Sequence, residues 1–344
     1  MRKLISFLKL FLPLLLGFSL LFHEFKNIQL DDFLFKLDQT RYGWIIGSII
    51  LSLLAYVARA YRWQLLLKAA DQKVSTFRLI LAVYVGYLAN LVFPRLGELI
   101  RCVVLKKTNQ IPVSLSIGTV LTERIVDSLF LLFFLTIGLF LEFDLFVIYF
   151  KNIFNNFHIP LHGVLYGMLT ILTTFTVVAL LILRYNAPLF QRIKKIFLEV
   201  IKGVLTITSI QSKYPFLIAT LVMWLTYFFM SYIMFFTLEE TSSLSLITGF
   251  MLLVSGGIAL TLPVQGGIGT YHAMITMMLG LYGIENSTGL FLATLLHSSQ
   301  ILSIIIFGGA SLMITLSIEK NNINDLKQNK ESTRGKKCCD GMEK

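Results

Sequence analysis

Two breaks interrupt otherwise apolar sequence: Phe93-Pro94-Arg95-Leu96-Gly97-Glu98, and Leu262-Pro263-Val264-Gln265-Gly266-Gly267-Ile268-Gly269. Hydrocarbon offers no water to bare backbone N–H and C=O groups. A helix broken at membrane depth therefore persists only inside protein or beside a wet cavity. In transporters built from repeats, paired breaks of this kind mark where the carried molecule is held. No other feature limits the possible folds of this chain as much.

The sequence around the breaks is that of an integral membrane protein. Hydrophobic residues fill 56% of 344 positions, charged residues only 14%, and mean hydropathy is +0.76. Several apolar runs reach the roughly 20 residues that a helix needs to cross the hydrocarbon core. Spans are expected at Leu4–Phe22, Gly43–Val57, Val113–Phe143, Leu161–Leu183, Pro215–Leu238 and Gly289–Leu316. The expected fold is all-α: a polytopic transmembrane helix bundle with two re-entrant helical hairpins related as an inverted repeat. One membrane domain would occupy residues 1–316, with 317–344 a charged, disordered cytoplasmic tail. Leu4–Phe22 follows Arg2 and Lys3 like a signal sequence but lacks a small-x-small cleavage site, so it reads as a retained anchor. The cysteines, Cys102 and the adjacent Cys338 and Cys339, form neither a disulfide framework nor a metal-spaced set.

Net charge is +11, which in a soluble chain would point to nucleic acid. Here the positive charge clusters in loops beside spans, where orientation and anionic lipid headgroups account for it without nucleic acid. Arg2, Lys3 and Lys9 precede the first span. Arg59, Arg62, Lys68, Lys73 and Arg78 follow the second, and Arg184 to Lys213 join the fourth and fifth. The tail is basic as well, whereas Asp31, Asp32, Asp38, Asp144, Glu239, Glu240 and Glu285 mark the other loops. Both termini are thus expected in the cytoplasm, with the chain in the cytoplasmic membrane.

This charge pattern also orients the breaks. Phe77–Leu105 is flanked by basic residues on both sides, and Leu96–Leu105 would rise only about 15 Å as a helix, half a bilayer. It reads as a hairpin dipping from inside. Leu244–Gly283 lies between Glu239-Glu240 and Glu285, so it reads either as a hairpin from outside or as two short full spans. Residues Pro188 to Lys202 form either an amphipathic helix on the cytoplasmic leaflet or an ordinary basic connector.

Three constellations can carry chemistry, because intramembrane charge is costly and each instance is a functional candidate. Arg95, Glu98 and Arg101 lie one helical turn apart. With the amides of a half-helix starting after Gly97, the two arginines either hold a phosphate or form an internal ion pair that pins the turn. Asn90, just before the break, is a lesser candidate. Glu123, Arg124 and Asp127 form the second group, about ten positions into a long apolar helix. They either lock the first hairpin in place or touch the substrate, and Arg95 or Arg101 are their expected partners. Gln265, Gly266, Gly267, Gly269, Tyr271 and His272 form the third, where glycines let backbone amides approach a ligand. Such glycines equally serve close helix packing. His297, Ser298, Ser299 and Gln300 make a polar break in the last span that can line the same space.

Arg62-Trp63-Gln64-Leu65-Leu66, the stretch from Asn90 through Pro94-Arg95-Leu96-Gly97-Glu98-Leu99-Ile100-Arg101, Thr122-Glu123-Arg124-Ile125-Val126-Asp127, and Leu262-Pro263 through Gly269 occur in an order and spacing that resembles the lysylphosphatidylglycerol synthase transmembrane region, the flippase-like domain family. In its bifunctional members the membrane domain moves aminoacylated phosphatidylglycerol between leaflets, and a soluble acetyltransferase-like domain attaches the amino acid from tRNA. This chain resembles the membrane half alone: 28 residues follow Leu316, against about 100–150 for a catalytic domain. Where relatives often carry a glutamate after the glycine motif, Tyr271-His272 stands here.

The resemblance implies a lipid translocator for an anionic phospholipid or lipid-linked substrate, with no cofactor. The alternatives are a membrane-embedded headgroup transferase, using Glu98, Glu123 or His272 as acid or base, and a non-catalytic partner of a lipid-modifying enzyme. A homo-oligomer is open. No metal-spaced Cys/His set, P-loop or Gly-x-Ser-x-Gly elbow is found.

Overall fold

The computed structural model describes residues 14–15, 17–26, 29–145, 147–148 and 213–340, with a few isolated positions between 169 and 201, and side chains as far as residue 321. The expected span Leu161–Leu183, the start of Leu4–Phe22 and the stretch Pro188–Lys202 lie outside the described residues. The fold is all-helical. Its elements are α1 (Leu30–Gln39), α2 (Tyr42–Ala69), α3 (Thr76–Val92), α4 (Gly97–Asn109), α5 (Val113–Leu141), α6 (Lys213–Tyr232), α7 (Leu246–Ala259), α8 (Thr270–Leu281) and α9 (Asn286–Asp340). Short 3-10 turns at Ile233–Thr237 and Gln265–Gly267 extend α6 and precede α8, and residues 17–25 are helical. Among the described residues, four helices are long and apolar enough to cross a membrane: Tyr42–Ala69, Val113–Leu141, Lys213–Thr237 and Asn286–Asn321.

Both sequence breaks are sharp reversals built on one plan. α3 and α7 each start on a serine N-cap, Ser75 accepting from the Arg78 amide and Ser245 from the Thr248 amide. Pro94 disfavours helical backbone at Phe93, which is extended, so α3 stops at Val92. Arg95 then adopts a left-handed φ of 65°, and α4 departs from Gly97 back along α3. The return is close because both arms carry glycine at the crossing. A Cβ on Gly86 would lie 2.8 Å from the Gly97 carbonyl oxygen, and one on Gly97 would collide with the Gly86 carbonyl and the Asn90 amide. At the open end Arg78 Nη1 donates to the Thr108 carbonyl at 3.1 Å. α7 and α8 repeat this design around Pro263, with Ser255 Oγ donating to the Met274 carbonyl at 3.1 Å and Thr270 Oγ1 to that of Ala259 at 3.4 Å.

α9 serves as a ruler for the two hairpins. Gly289 packs on Thr276 of α8, and His297 reaches Gly266 at the second tip. Gly308 packs on Tyr84 and Leu88 of α3, and Glu319 pairs with Lys107 at the end of α4 at 3.0 Å. The hairpins therefore lie end to end along α9 with their tips facing. The tips touch: Arg95 donates to the Thr261 carbonyl, and Leu91 lies against Gly266.

Two expectations need correction. The second span continues through Ala69, beyond Val57, because Ala58–Lys68 contains no helix breaker and buries one face. Arg59 and Arg62 are thus interior residues rather than loop charges. The acidic loop near Asp31 and Asp32 forms helix α1, in which Lys36 is buried, held by Asp32 at 2.5 Å and close to Ser287. α9 runs on as helix to Asp340.

Candidate functional site

The two carboxylates of α5 organise the charged centre. Glu123 and Asp127 are four residues apart and face α2 and α4. Glu123 is wholly enclosed. Its Oε2 accepts from Arg101 Nη2 at 2.7 Å, and its Oε1 lies 3.7 Å from Arg62 Nη2. Asp127 Oδ1 accepts from Arg62 Nη1 at 2.6 Å, and its Oδ2 from Arg59 Nη2 at 3.4 Å. Arg124, whose side chain is 35% exposed, closes the rim at 3.9 Å from Asp127. From the helix ends at Ala69, Asn109 and Val113, Arg62, Arg101 and Glu123 all lie about 10–15 Å inward, so one layer of the bundle carries them.

Aromatic rings wall this layer. The Arg101 guanidinium lies 4.6 Å from the centre of the Trp63 ring, which donates through Nε1 to Thr119 Oγ1 at 2.9 Å. Arg62 faces Phe216 and Arg59 faces Tyr87, each at 5.9 Å. Tyr227 of α6 accepts from Arg59 Nη2 at 3.2 Å. Three buried guanidiniums thus face two carboxylates, which leaves one positive charge before Arg124 is counted. Buried charge of one sign is costly without a counter-ion. Glu98, three residues before Arg101, forms no ion pair among the described residues, and one of its carboxylate oxygens is buried without a hydrogen-bond partner.

Of the residues expected to meet here, the structure brings together Arg101, Glu123, Arg124 and Asp127. It does not bring Arg95. The left-handed backbone at residue 95 swings this side chain out to the hairpin tip, off the face that carries Arg101, and its guanidinium binds the second hairpin instead. The expected free amides after the first break are also partly spent. Asn90 Oδ1 accepts from the Gly97 N–H at 2.7 Å. The group is packed shut, with Arg62 and Glu123 fully buried, rather than spread along a cavity wall. Arg59, Arg62, Trp63 and Tyr227 were missed. Arg62-Trp63 entered only through the family resemblance, because the apolar run before it ends at Val57; Arg59 and Arg62 themselves read as loop charge.

The second tip is built differently. Gly266, Gly267 and Gly269 have φ of 58°, 78° and 82°, which glycine alone adopts freely. A Cβ at Gly269 would collide with the Gly17 carbonyl of the N-terminal helix. His297 Nε2 lies 2.8 Å from the Gly266 carbonyl oxygen, which can only accept, so Nε2 carries the proton. Tyr271 stacks on His297 with ring centres 5.1 Å apart, and His272 meets it edge-on at 5.0 Å. The Gly269 amide points to His272 Nδ1 at 3.4 Å, and Gln265 is buried at the same turn. Ser298 and Ser299 bond within α9, while Gln300 reaches Ser48 of α2 at 3.4 Å. Among the described residues, no group of three or more His, Cys, Asp or Glu side chains is arranged to hold a metal ion.

An all-helical fold with four membrane-length helices among the described residues, two facing hairpins and a buried charge cluster defines a polytopic integral membrane protein. The profile of the lysylphosphatidylglycerol synthase TM region matches residues 6–308, and the chain belongs to that family. It is 29% identical over 124 residues to the UPF0104 membrane protein MJ1595 of Methanocaldococcus jannaschii. That match spans 35% of this chain and 37% of the relative, little more than a third of either. No solved structure matches the chain.

Proposed function

We propose that this protein moves an anionic lipid between the leaflets of the cytoplasmic membrane, its headgroup passing through the polar interior while its acyl chains stay in the bilayer. The observation that carries this reading is the surplus of buried positive charge, three enclosed guanidiniums against two carboxylates. Buried charge of one sign is costly by itself, and an anionic ligand would neutralise it. The facing hairpins support the same reading. In membranes of known transporter design, opposed broken helices meet near the midplane, where the carried molecule binds. We further propose that the hairpins are re-entrant from opposite sides as an inverted repeat, with both termini in the cytoplasm.

The test is reconstitution of the purified chain into liposomes carrying labelled lipids. Leaflet exposure is followed by a membrane-impermeant quencher, and the lipids are then identified by mass spectrometry. Faster leaflet exchange of anionic lipid with unchanged lipid mass is expected. A new aminoacylated or glycosylated species, given the matching donor, would replace this reading with that of a headgroup transferase. Exchange seen only after adding a second protein would make the chain a partner instead.

A further inference from the structure

We infer that Arg59 and the tyrosines around it form the subsite that holds the phosphate of the lipid headgroup, an inference that rests on the translocator reading above. Arg62 and Arg101 are committed to other groups: Arg62 is fully enclosed, and Arg101 is held between Glu123 and the Trp63 ring. Arg59 differs. Its Nη2 serves Asp127 at 3.4 Å and Tyr227 at 3.2 Å, its Nε also reaches Tyr227 at 3.3 Å, and its Nη1 is buried with no partner among the described residues. The residue is only 4% exposed, so no bulk water meets that donor. A buried charged donor without an acceptor is one of the costlier arrangements a fold can retain.

The surroundings supply a second unpartnered group. Tyr56 of α2 packs on Tyr84 and Tyr87 of α3, ring centres 4.8 and 4.9 Å apart, and Tyr87 lies under the Arg59 guanidinium. The Tyr84 hydroxyl is buried without a hydrogen-bond partner. Phenylalanine would pack these rings as well, and this chain uses 29 Phe against 13 Tyr. Tyr87 and Tyr227 at Arg59, with Tyr56 packed on Tyr87 and Tyr84 on Tyr56, therefore concentrate hydroxyls on this side of the bundle. A cation is repelled by the surplus charge, and a neutral sugar needs no buried guanidinium. An oxyanion fits both features, accepting from Nη1 and from tyrosine hydroxyls at once. Access is from the side of Tyr87 and Tyr227, both half-buried, next to the rim arginine Arg124.

The experiment uses the full chain in detergent and in liposomes. Binding is read by native mass spectrometry with phosphatidic acid and with diacylglycerol, which differ only by the phosphate, and leaflet exchange is read in parallel. Wild-type protein should retain phosphatidic acid and not diacylglycerol. Tyr84→Phe, which keeps the ring packing, should weaken that retention on the order of tenfold, as expected for a lost hydrogen bond to a charged group. Arg59→Lys should weaken it further, since a lysine cannot reproduce the planar fork. Tyr61→Phe, at an exposed ring on the same helix, should change nothing. Displacement by excess inorganic phosphate supports a site that reads the bare anion. Tyr84-dependent retention without displacement supports one that also needs the lipid tails. If both variants bind like wild type, or diacylglycerol binds equally, the subsite is wrong. If wild type and Tyr84→Phe exchange lipid equally, the translocator stands without this subsite. If binding depends on Tyr84 but no leaflet exchange occurs, the subsite stands and the translocator falls.

Discussion

The two hairpins share a plan and differ in what holds them. The first, α3 and α4, is fastened by charge: Arg101 pairs with Glu123, which also faces Arg62 of another helix. The second, α7 and α8, is fastened by neutral groups: a histidine on a carbonyl, serine and threonine on carbonyls, and three glycines in left-handed backbone. In the first, side chains determine the geometry and the backbone follows. In the second, the backbone determines it, and side chains seal the turn. Ion pairs in a low-dielectric interior depend steeply on their partners, while single neutral hydrogen bonds are individually modest. The first hairpin should therefore be the more sensitive to loss of a charged side chain, while each is sensitive to a residue larger than glycine at its close approach or left-handed turn.

The largest effect is expected at Glu123. Changing it to alanine leaves Arg62 and Arg101 buried beside too little negative charge, at a cost of about 3–5 kcal/mol. Thermal unfolding in detergent and folded yield should both fall sharply. A variant as stable as wild type would mean that the charged layer does not fasten the first hairpin. Next comes Gly97→Ala, whose Cβ meets the Gly86 carbonyl and lies 2.6 Å from the Asn90 side chain. Neither backbone can yield without splaying the arms, so about 1–3 kcal/mol should be lost. Restored stability in an Asn90→Ala, Gly97→Ala double variant would show that the Asn90 side chain, rather than the Gly86 backbone, sets the approach.

At the second tip, His297→Phe keeps a ring against Tyr271 and removes the hydrogen bond to Gly266, worth about 0.6–1 kcal/mol in a membrane bundle. A loss as large as that of Glu123→Ala, in the same unfolding assay, would erase the contrast between the hairpins. The smallest effect belongs to Lys107→Ala, which removes a pair to Glu319 from a lysine whose side chain is 52% exposed. Solvent screening limits it to about 0.5 kcal/mol or less.

Much of this was readable in the sequence. Pro94 and Pro263 in apolar runs mark both reversals because proline disfavours helical backbone at the residue before it. Glu123 and Asp127 stand out because they are the acids of the long uninterrupted apolar run Val113–Leu141. What escaped reading depends on three dimensions. Arg59 and Arg62 follow an apolar run at the point where a loop would begin, and only packing against α5 and α6 shows that the helix continues inward. Arg95 stands at helical spacing from Arg101, yet a single left-handed φ sends it elsewhere. The role of His297 was hidden because its partner is a backbone carbonyl, which leaves no trace in residue identity.

The central claim is that the two hairpins open toward opposite faces of the membrane and meet tip to tip within it. Lys106 and Glu285 are exposed residues at their open ends. In a chain whose native cysteines are replaced by serine, Lys106→Cys and Glu285→Cys can each be probed in intact cells with a membrane-impermeant maleimide. The account predicts that residue 285 is labelled from outside and residue 106 only after the membrane is opened. Labelling of both positions from the same side would contradict it.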